Sequence, residues 1–241
     1  MTTLKTNAIE PEGATTNLTV GMTGQNVVVG GSGGIKANTF KDAGGNTLWT
    51  SNGSGVLSSV SGFGGAQVLI SSQTASNSAS ISFTSGIDST YKEYVFEFFN
   101  LNPATDDTKF SFQVNADGQT GFNETMTTSV FRAYHREDNS GQALDYRTDA
   151  DQAQGTAYQV LSRGFGNGSD ESGAGILHLF NPASTTYVKH FYSRFHHYGS
   201  TDYSSDMFIA GYINNTAAIS EISFKASSGN FDGKIKMYGV K

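Results

Sequence analysis

Two copies of a 31-residue unit fill residues 4–65 and constrain the fold more than any other feature of the sequence. Residues 4–9 align with residues 35–40, and each copy ends in a cluster of glycines. A repeating unit of this kind cannot bury its apolar face alone and needs stacked or intertwined neighbours. Because the chain holds only two copies, 4–34 and 35–65, the sequence predicts that the remaining neighbours are other copies of the same chain.

Residues 1–65 are too poor in large side chains to form an ordinary globular core. They hold 14 of the 29 glycines but only three aromatic residues. Short β-favouring runs separated by tight turns favour an extended β-repeat stalk over the alternative, a flexible Gly/Ser-rich linker. The apolar positions expected to pack between chains in this stalk are Ile9, Leu18, Val29, Ile35, Phe40, Trp49 and Val60.

Residues 66–241 predict an all-β head with almost no helix. Phe110, Phe112 and Val114 alternate with polar residues, as in a strand with one buried face. Residues 91–101 carry aromatic side chains on both faces, which indicates a central strand. About ten strands of this length and spacing predict two packed antiparallel sheets, a jelly-roll-like β-sandwich.

The head is punctuated by segments with turn chemistry, so individual strands can be delimited. The polar segment 137–155 lacks periodicity and is expected to be a long exposed loop. The candidate strands are 67–71, 79–83, 91–101, 110–114, 129–135, 158–163, 175–180, 187–196, 207–213, 219–225 and 234–240.

Composition excludes several classes of protein. Without cysteine there is no disulfide framework, thiolate zinc site or cysteine nucleophile. A net charge of −6 without any Lys/Arg run argues against nucleic-acid binding, which relies on phosphate neutralisation. No stretch approaches the roughly 20 apolar residues that span a bilayer, and no secretory signal is expected at the N-terminus. We therefore expect no membrane insertion.

The sequence contains no motif that points to catalysis or to a cofactor. The patterns H-E-x-x-H and G-x-x-x-x-G-K are missing, and the Gly/Ser run at residues 30–34 recurs as the end of the repeat, which favours a structural role for it. We therefore predict a protein that is not an enzyme and binds neither cofactor nor metal. Asp149 and Asp151 have the spacing that begins a calcium loop, but the rest of that pattern is lacking. Two alternatives stay open: histidines from three chains around a cation on a symmetry axis, and a carboxylate pair for glycoside hydrolysis.

Residues 190–198 combine aromatic, histidine and arginine side chains in one predicted strand. Such side chains stack on sugar faces and pair with carboxylates, but they also form cores and subunit interfaces. The adjacent histidines should point to opposite faces of the strand and therefore cannot easily share a metal. The candidate receptor or interface patch consists of Tyr192, Arg194, His196, His197 and Tyr198.

Six segments have sequences typical of one group of proteins: 5–11, 35–46, 51–57, 87–96, 102–106 and 233–241. They resemble structural proteins of tailed bacteriophages, particularly marine and cyanobacterial phages. The first three are similar to the thin trimeric β-structured shafts of phage fibres, and the last three to a β-sandwich module common in virion proteins. The resemblance implies a virion appendage and brings no catalytic or binding residues with it.

The repeat and the resemblance together predict a homotrimeric tail-fibre-like protein of the virion, made in the host cytoplasm. Residues 1–65 would attach to tail, collar or capsid proteins, and residues 66–241 would contact the host surface, chiefly its glycans. One alternative is a capsid decoration, head fibre or collar protein without a receptor. Another is a glycan-degrading enzyme similar to a tailspike.

Overall fold

The computed structural model describes residues 39–41, 44–51, 57–58 and 66–241. The chain divides into two units, Met1–Phe63 and Gly64–Lys241. Every strand pairing in the described residues is antiparallel, and none of these residues is helical. The prediction of an all-β chain is therefore confirmed for the part that the structure describes. Accordingly, that part contains no helix long and apolar enough to cross a membrane.

The described part of the first unit is a small three-stranded sheet in the order β1-β2-β3. Its strands are β1 (Thr39–Lys41), β2 (Thr47–Ser51) and β3 (Leu57–Ser58). Phe40 lies opposite Trp49, and their rings stack with centroids 4.0 Å apart. This contact joins two of the predicted stalk positions; the other five, Ile9, Leu18, Val29, Ile35 and Val60, lie outside the described residues.

The second unit contains twelve strands in one antiparallel sheet. Their bounds are β4 (Gln67–Ser78), β5 (Ile81–Phe83), β6 (Glu93–Pro103), β7 (Thr108–Ala116), β8 (Met126–Arg136), β9 (Gln142–Tyr146), β10 (Gln159–Phe165), β11 (Gly173–Phe180), β12 (Lys189–Gly199), β13 (Tyr203–Ile213), β14 (Ile219–Ala226) and β15 (Phe231–Val240).

This sheet consists of two arrays that are joined at a single point and fold over one another, nearly as in a barrel. The large array has the order β4-β15-β6-β11-β12-β13-β8-β9, and the small array has the order β10-β7-β14-β5. The pair Phe165 and Gly199 alone links β10 to β12. Strand β6 pairs with β15 on one side and β11 on the other, so residues 91–101 do contain a central strand.

The core lies between the inner faces of the two arrays and is rich in phenylalanine. Phe98 of the large array contacts Phe110 and Phe224 of the small one, with ring centroids 5.8 and 5.2 Å apart. Phe112 meets Phe191 edge to face at 5.0 Å. These rings are almost completely buried, as the alternation in residues 110–114 predicts. Their burial supplies the main driving force for closing one array over the other.

The segment 137–155 is not one long exposed loop, because β9 lies within it. Strand β9 forms a hairpin with β8, in which Phe131 lies opposite Tyr146 and His135 opposite Gln142. Most β9 side chains are exposed, so the strand shows none of the apolar alternation that reveals a half-buried strand. Its position at the sheet edge explains why the sequence pattern misses it.

Buried glutamines tie the connecting loops to the scaffold. The Gln159 amide donates to the backbone oxygen of Ala150 at 2.9 Å, and its Oε1 accepts from the Thr128 hydroxyl at 2.8 Å. The Gln113 amide donates to the backbone oxygens of Glu124 and Ala157, at 2.9 and 3.1 Å. Because both glutamines are fully buried, these bonds satisfy loop backbone groups that water cannot reach.

Candidate functional site

Strand β12 presents alternate residues of the predicted patch on the outer face of the large array. Tyr192, Arg194 and His196 are exposed there, while the residues between them point into the core. Arg194 makes a forked ion pair with Asp206 of β13, at 2.7 Å between Nη2 and Oδ2. Its guanidinium carbon also lies 5.0 Å from the centre of the Phe208 ring. The structure therefore brings three of the five patch residues together on one open surface.

A depression in this outer face, termed here the aromatic trough, runs over β12, β13 and β8. The strand register places Ala210 opposite Tyr192 and Ser129 opposite Ala210, so two small side chains form its floor next to a tyrosine. One flank carries His190 and Tyr212, and the other carries Arg194, Phe208 and Phe131. Two adjoining cavities of 470 and 310 Å³ share this floor.

The rings around the aromatic trough are held by stacking. The Tyr192 ring stacks on His178 with centroids 4.4 Å apart, and Nδ1 of His178 lies 2.5 Å from a Glu93 carboxylate oxygen. Phe131 and Phe208 stack almost in parallel at 4.7 Å. Side chains fixed in this way lose little rotamer freedom when a ligand binds, which favours recognition by a preformed surface.

Several polar groups in the aromatic trough make no hydrogen bond to the described part of the protein. These groups are the side chains of Ser129, His190, Tyr192 and Tyr212. A surface that combines exposed ring faces with such donors and acceptors suits a ligand that has both C–H faces and hydroxyl groups. A sugar ring is such a ligand.

His197 is not part of this surface, because its side chain points into the core and is fully buried. Its ring lies 5.2 Å from the Phe165 ring, and neither ring nitrogen has a hydrogen-bond partner in the described residues. Burial lowers the pKa of His197 to about 3, so the imidazole is neutral at ordinary pH. The prediction that His196 and His197 point to opposite faces is confirmed, but the inclusion of His197 in an exposed patch is wrong.

Tyr198 lies at the end of β12, away from the aromatic trough. Its hydroxyl donates to Asp202 Oδ1 at 3.2 Å. Desolvation and hydrogen bonds with Glu137 and Asp202 raise the pKa of Tyr198, so this hydroxyl stays protonated. The structure thus assigns Tyr198 a local hydrogen-bonding role in the β12–β13 turn.

The acidic pair at 149 and 151 is already engaged by neighbouring side chains. Asp149 accepts hydrogen bonds from Arg147, at 2.9 Å from Nη2, and forms an ion pair with Nε of Arg163 at 2.7 Å; Asp151 accepts from the Tyr146 hydroxyl. Asp149 is desolvated, but its arginine partners outweigh this effect and lower its pKa. Within residues 66–241 and the described parts of the first unit, no three His, Asp or Glu side chains converge on a possible metal site.

The sequence pattern misses the floor and far flank of the aromatic trough. Ser129 and Phe131 come from β8, and Phe208, Ala210 and Tyr212 come from β13. Alternation within each strand shows which residues share a face. It does not show that β13 pairs with β12 and that β8 pairs with β13, so the full site became visible only with the pairing of the strands.

Comparison of the chain with models of protein families, with curated proteins and with solved structures gave no match.

Proposed function

We propose that this protein is a homotrimeric appendage of a tailed-bacteriophage virion that contacts glycans on the host surface. Residues 1–65 form the stalk that joins it to other virion proteins, and residues 66–241 form a jelly-roll-like head. The observation that carries the proposal is the aromatic trough, a preformed surface suited to sugar rings. The resemblance to phage fibres supports a place in the virion, and the 31-residue repeat supports a trimer.

The stalk accounts for assembly. Its sparse apolar positions cannot form a core within one chain, so three chains bury them against each other. The stacked pair Phe40 and Trp49 is the kind of apolar unit that such packing covers. Three heads on one stalk then strengthen weak binding, because the second and third contacts form at high effective concentration.

In the aromatic trough, a pyranose ring lays its C–H face against the exposed ring of Tyr192. Its hydroxyls exchange hydrogen bonds with Ser129, His190 and Tyr212, whose side chains have no hydrogen-bond partner in the described residues. The flanks come from paired strands, so little ordering accompanies binding. Each contact is modest, as expected for a receptor bound through avidity.

The substitution Tyr192→Ala tests this function. Removing the exposed ring should weaken adsorption of the purified protein to host cells by about two- to tenfold, since one aromatic contact contributes about 0.5–1.5 kcal/mol. Tyr187→Ala is the matched control, because Tyr187 is more exposed (69%, against 45% for Tyr192) and does not line the trough. Adsorption of this control should equal that of the unchanged protein.

Three further results would decide between the proposal and its alternatives. A mass in solution of three times the 25.6 kDa chain supports the trimer, and a stable monomer refutes it. If the protein neither adsorbs to host cells nor blocks infection, the role is structural, in a capsid decoration or collar. Release of reducing sugars from host polysaccharide would instead reveal a glycan-degrading enzyme.

A further inference from the structure

A second concave site lies on the small array, away from the aromatic trough. It has a volume of 530 Å³ and is termed here the lysine groove. Its floor contains Ser111 and Val160, which lie opposite each other on β7 and β10 and are almost fully buried. Lys109 and Lys225 stand on the strands around this floor, and the loop at residues 149–152 closes one side.

The two lysines share this groove without a counter-ion. Lys225 pairs with Ser111, two residues from Lys109 on the same face of the sheet, so their Cα atoms are diagonal neighbours about 7–8 Å apart. Both side chains are half-buried, and neither ammonium is in an ion pair within the described residues. Two like charges in a partly desolvated groove repel each other, and a bound anion would remove this repulsion.

The carboxylates of the groove do not supply that anion. Asp149 is held by Arg147 and Arg163, and Asp151 accepts from a tyrosine hydroxyl. The charged side chains that line the groove are Lys109, Lys225, Asp149 and Asp151. Because Asp149 already pairs with Arg147 and Arg163, the two lysines face the single remaining carboxylate of Asp151.

The other lining groups suit a sugar. The Tyr158 ring lies beneath the Lys225 ammonium, with Nζ 3.9 Å from the ring centre, so one wall combines an aromatic surface with a cation. Ser111 also lines the groove and brings a hydroxyl group to its floor, whereas the Ser227 hydroxyl is already bonded to Thr108 and to the backbone of Lys109. The volume falls within the usual range for small-ligand sites. We propose that the lysine groove binds an acidic saccharide, with the sugar carboxylate between Lys109 and Lys225.

This inference rests on the proposed contact with host glycans but uses separate residues, so the two can fail independently. The test is calorimetric titration of the full chain with trigalacturonate, with maltotriose as the neutral counterpart and with inorganic phosphate. Trigalacturonate should bind, and neither of the other two should compete with it at equal concentration. If phosphate binds as tightly as trigalacturonate, the groove binds anions in general and the proposal of a saccharide ligand is refuted. If trigalacturonate does not bind, the proposal of a binding site in the groove is refuted.

Substitutions then locate the binding. Lys109→Met and Lys225→Met should each raise the dissociation constant about tenfold, since each removes a charge-assisted contact but keeps the aliphatic stem. Lys225→Arg keeps the positive charge and should retain binding. It also provides a test at this position if Lys225→Met does not fold. Lys234→Met is the matched control, because it removes the same charge from an exposed position on β15. Equal weakening by the control would place the saccharide elsewhere.

The aromatic trough provides the independent check. If Tyr192→Ala weakens adsorption to host cells while trigalacturonate still binds with unchanged affinity, both proposed sites are supported and they act separately. If the lysine variants bind trigalacturonate as well as the unchanged protein does, the groove inference fails, and the function proposed for the trough is unaffected.

Discussion

Buried His197 should make the head lose stability under mild acid. In the folded chain its pKa lies at about 3, lowered first by burial and then by the nearby charges of His196 and Arg132. In the unfolded chain the imidazole returns to its ordinary value of 6.5. Between about pH 3 and pH 6.5 the imidazole is therefore protonated in the unfolded state but neutral in the folded state. The free energy of unfolding therefore falls as the pH drops below 6.5.

The size of this effect follows from the two pKa values. Each pH unit well inside the window contributes about 1.4 kcal/mol, so moving from pH 8 to pH 5 should cost about 2 kcal/mol. The arginine-paired carboxylates of Asp145 and Asp149 act at lower pH. Their pKa values are lowered from 3.8, so the stability that they contribute is lost only below that value. Between pH 8 and pH 5 these two carboxylates therefore contribute little to the change in stability.

Urea unfolding at the two pH values, followed by far-UV circular dichroism, measures the difference. His197→Phe replaces the ring with a non-titrating one next to Phe165 and Tyr203, and should lose about 2 kcal/mol less on acidification than the unchanged protein. His196→Gln removes the charge of the exposed neighbour but leaves burial, the largest cause of the low pKa of His197, in place, so the loss of stability between pH 8 and pH 5 should stay nearly the same. If His197→Phe loses as much as the unchanged protein, the assignment of this acid sensitivity to the buried imidazole is refuted.

Two other substitutions probe the loops and the first unit. Gln159→Leu leaves the Ala150 carbonyl and the Thr128 hydroxyl without their partner, so it should cost about 3 kcal/mol of unfolding free energy in urea and speed amide exchange in the tethered loop. Unchanged exchange would show that the glutamine does not hold the loop. Phe40→Ala removes the ring stacked on Trp49, the single tryptophan, so emission should shift to the red while the far-UV melting of the head stays constant. An unshifted emission spectrum would mean that this stack does not shield the indole.

Local patterns predict much of the head because one buried face imposes a period of two. The alternation at Phe110, Phe112 and Val114 gives the inward face of β7, and the aromatic faces of residues 91–101 indicate the central position of β6. Strand β9 escapes this reasoning. Both of its faces are exposed to solvent over most of its length, so residues 142–146 show no alternation of apolar and polar residues.

The candidate site shows a different limit of sequence reasoning. Alternation separates His196 from His197, but it does not say which of the two faces the core. The deciding fact is the second array, which covers the inner face of β12 through contacts such as Phe112 with Phe191. Likewise, the sequence does not show that Ala210 belongs to the site. It forms part of the trough floor only because β13 pairs with β12 and places Ala210 opposite Tyr192.

The unequal anchoring at the two ends of β9 has a practical consequence for protein engineering. The turn before β9 is held by three backbone hydrogen bonds, from Arg136 to Gly141, from Asn139 to Arg136 and from Glu137 to Asp202, and the side chains of residues 137–140 are exposed. The connection after β9 is tied down through Ala150 and Gln159. A foreign peptide grafted between residues 139 and 140 should be displayed without loss of the fold, whereas the same graft at residue 150 should prevent the arrays from closing. The hairpin tip is therefore the place to attach an epitope or a fluorescent label.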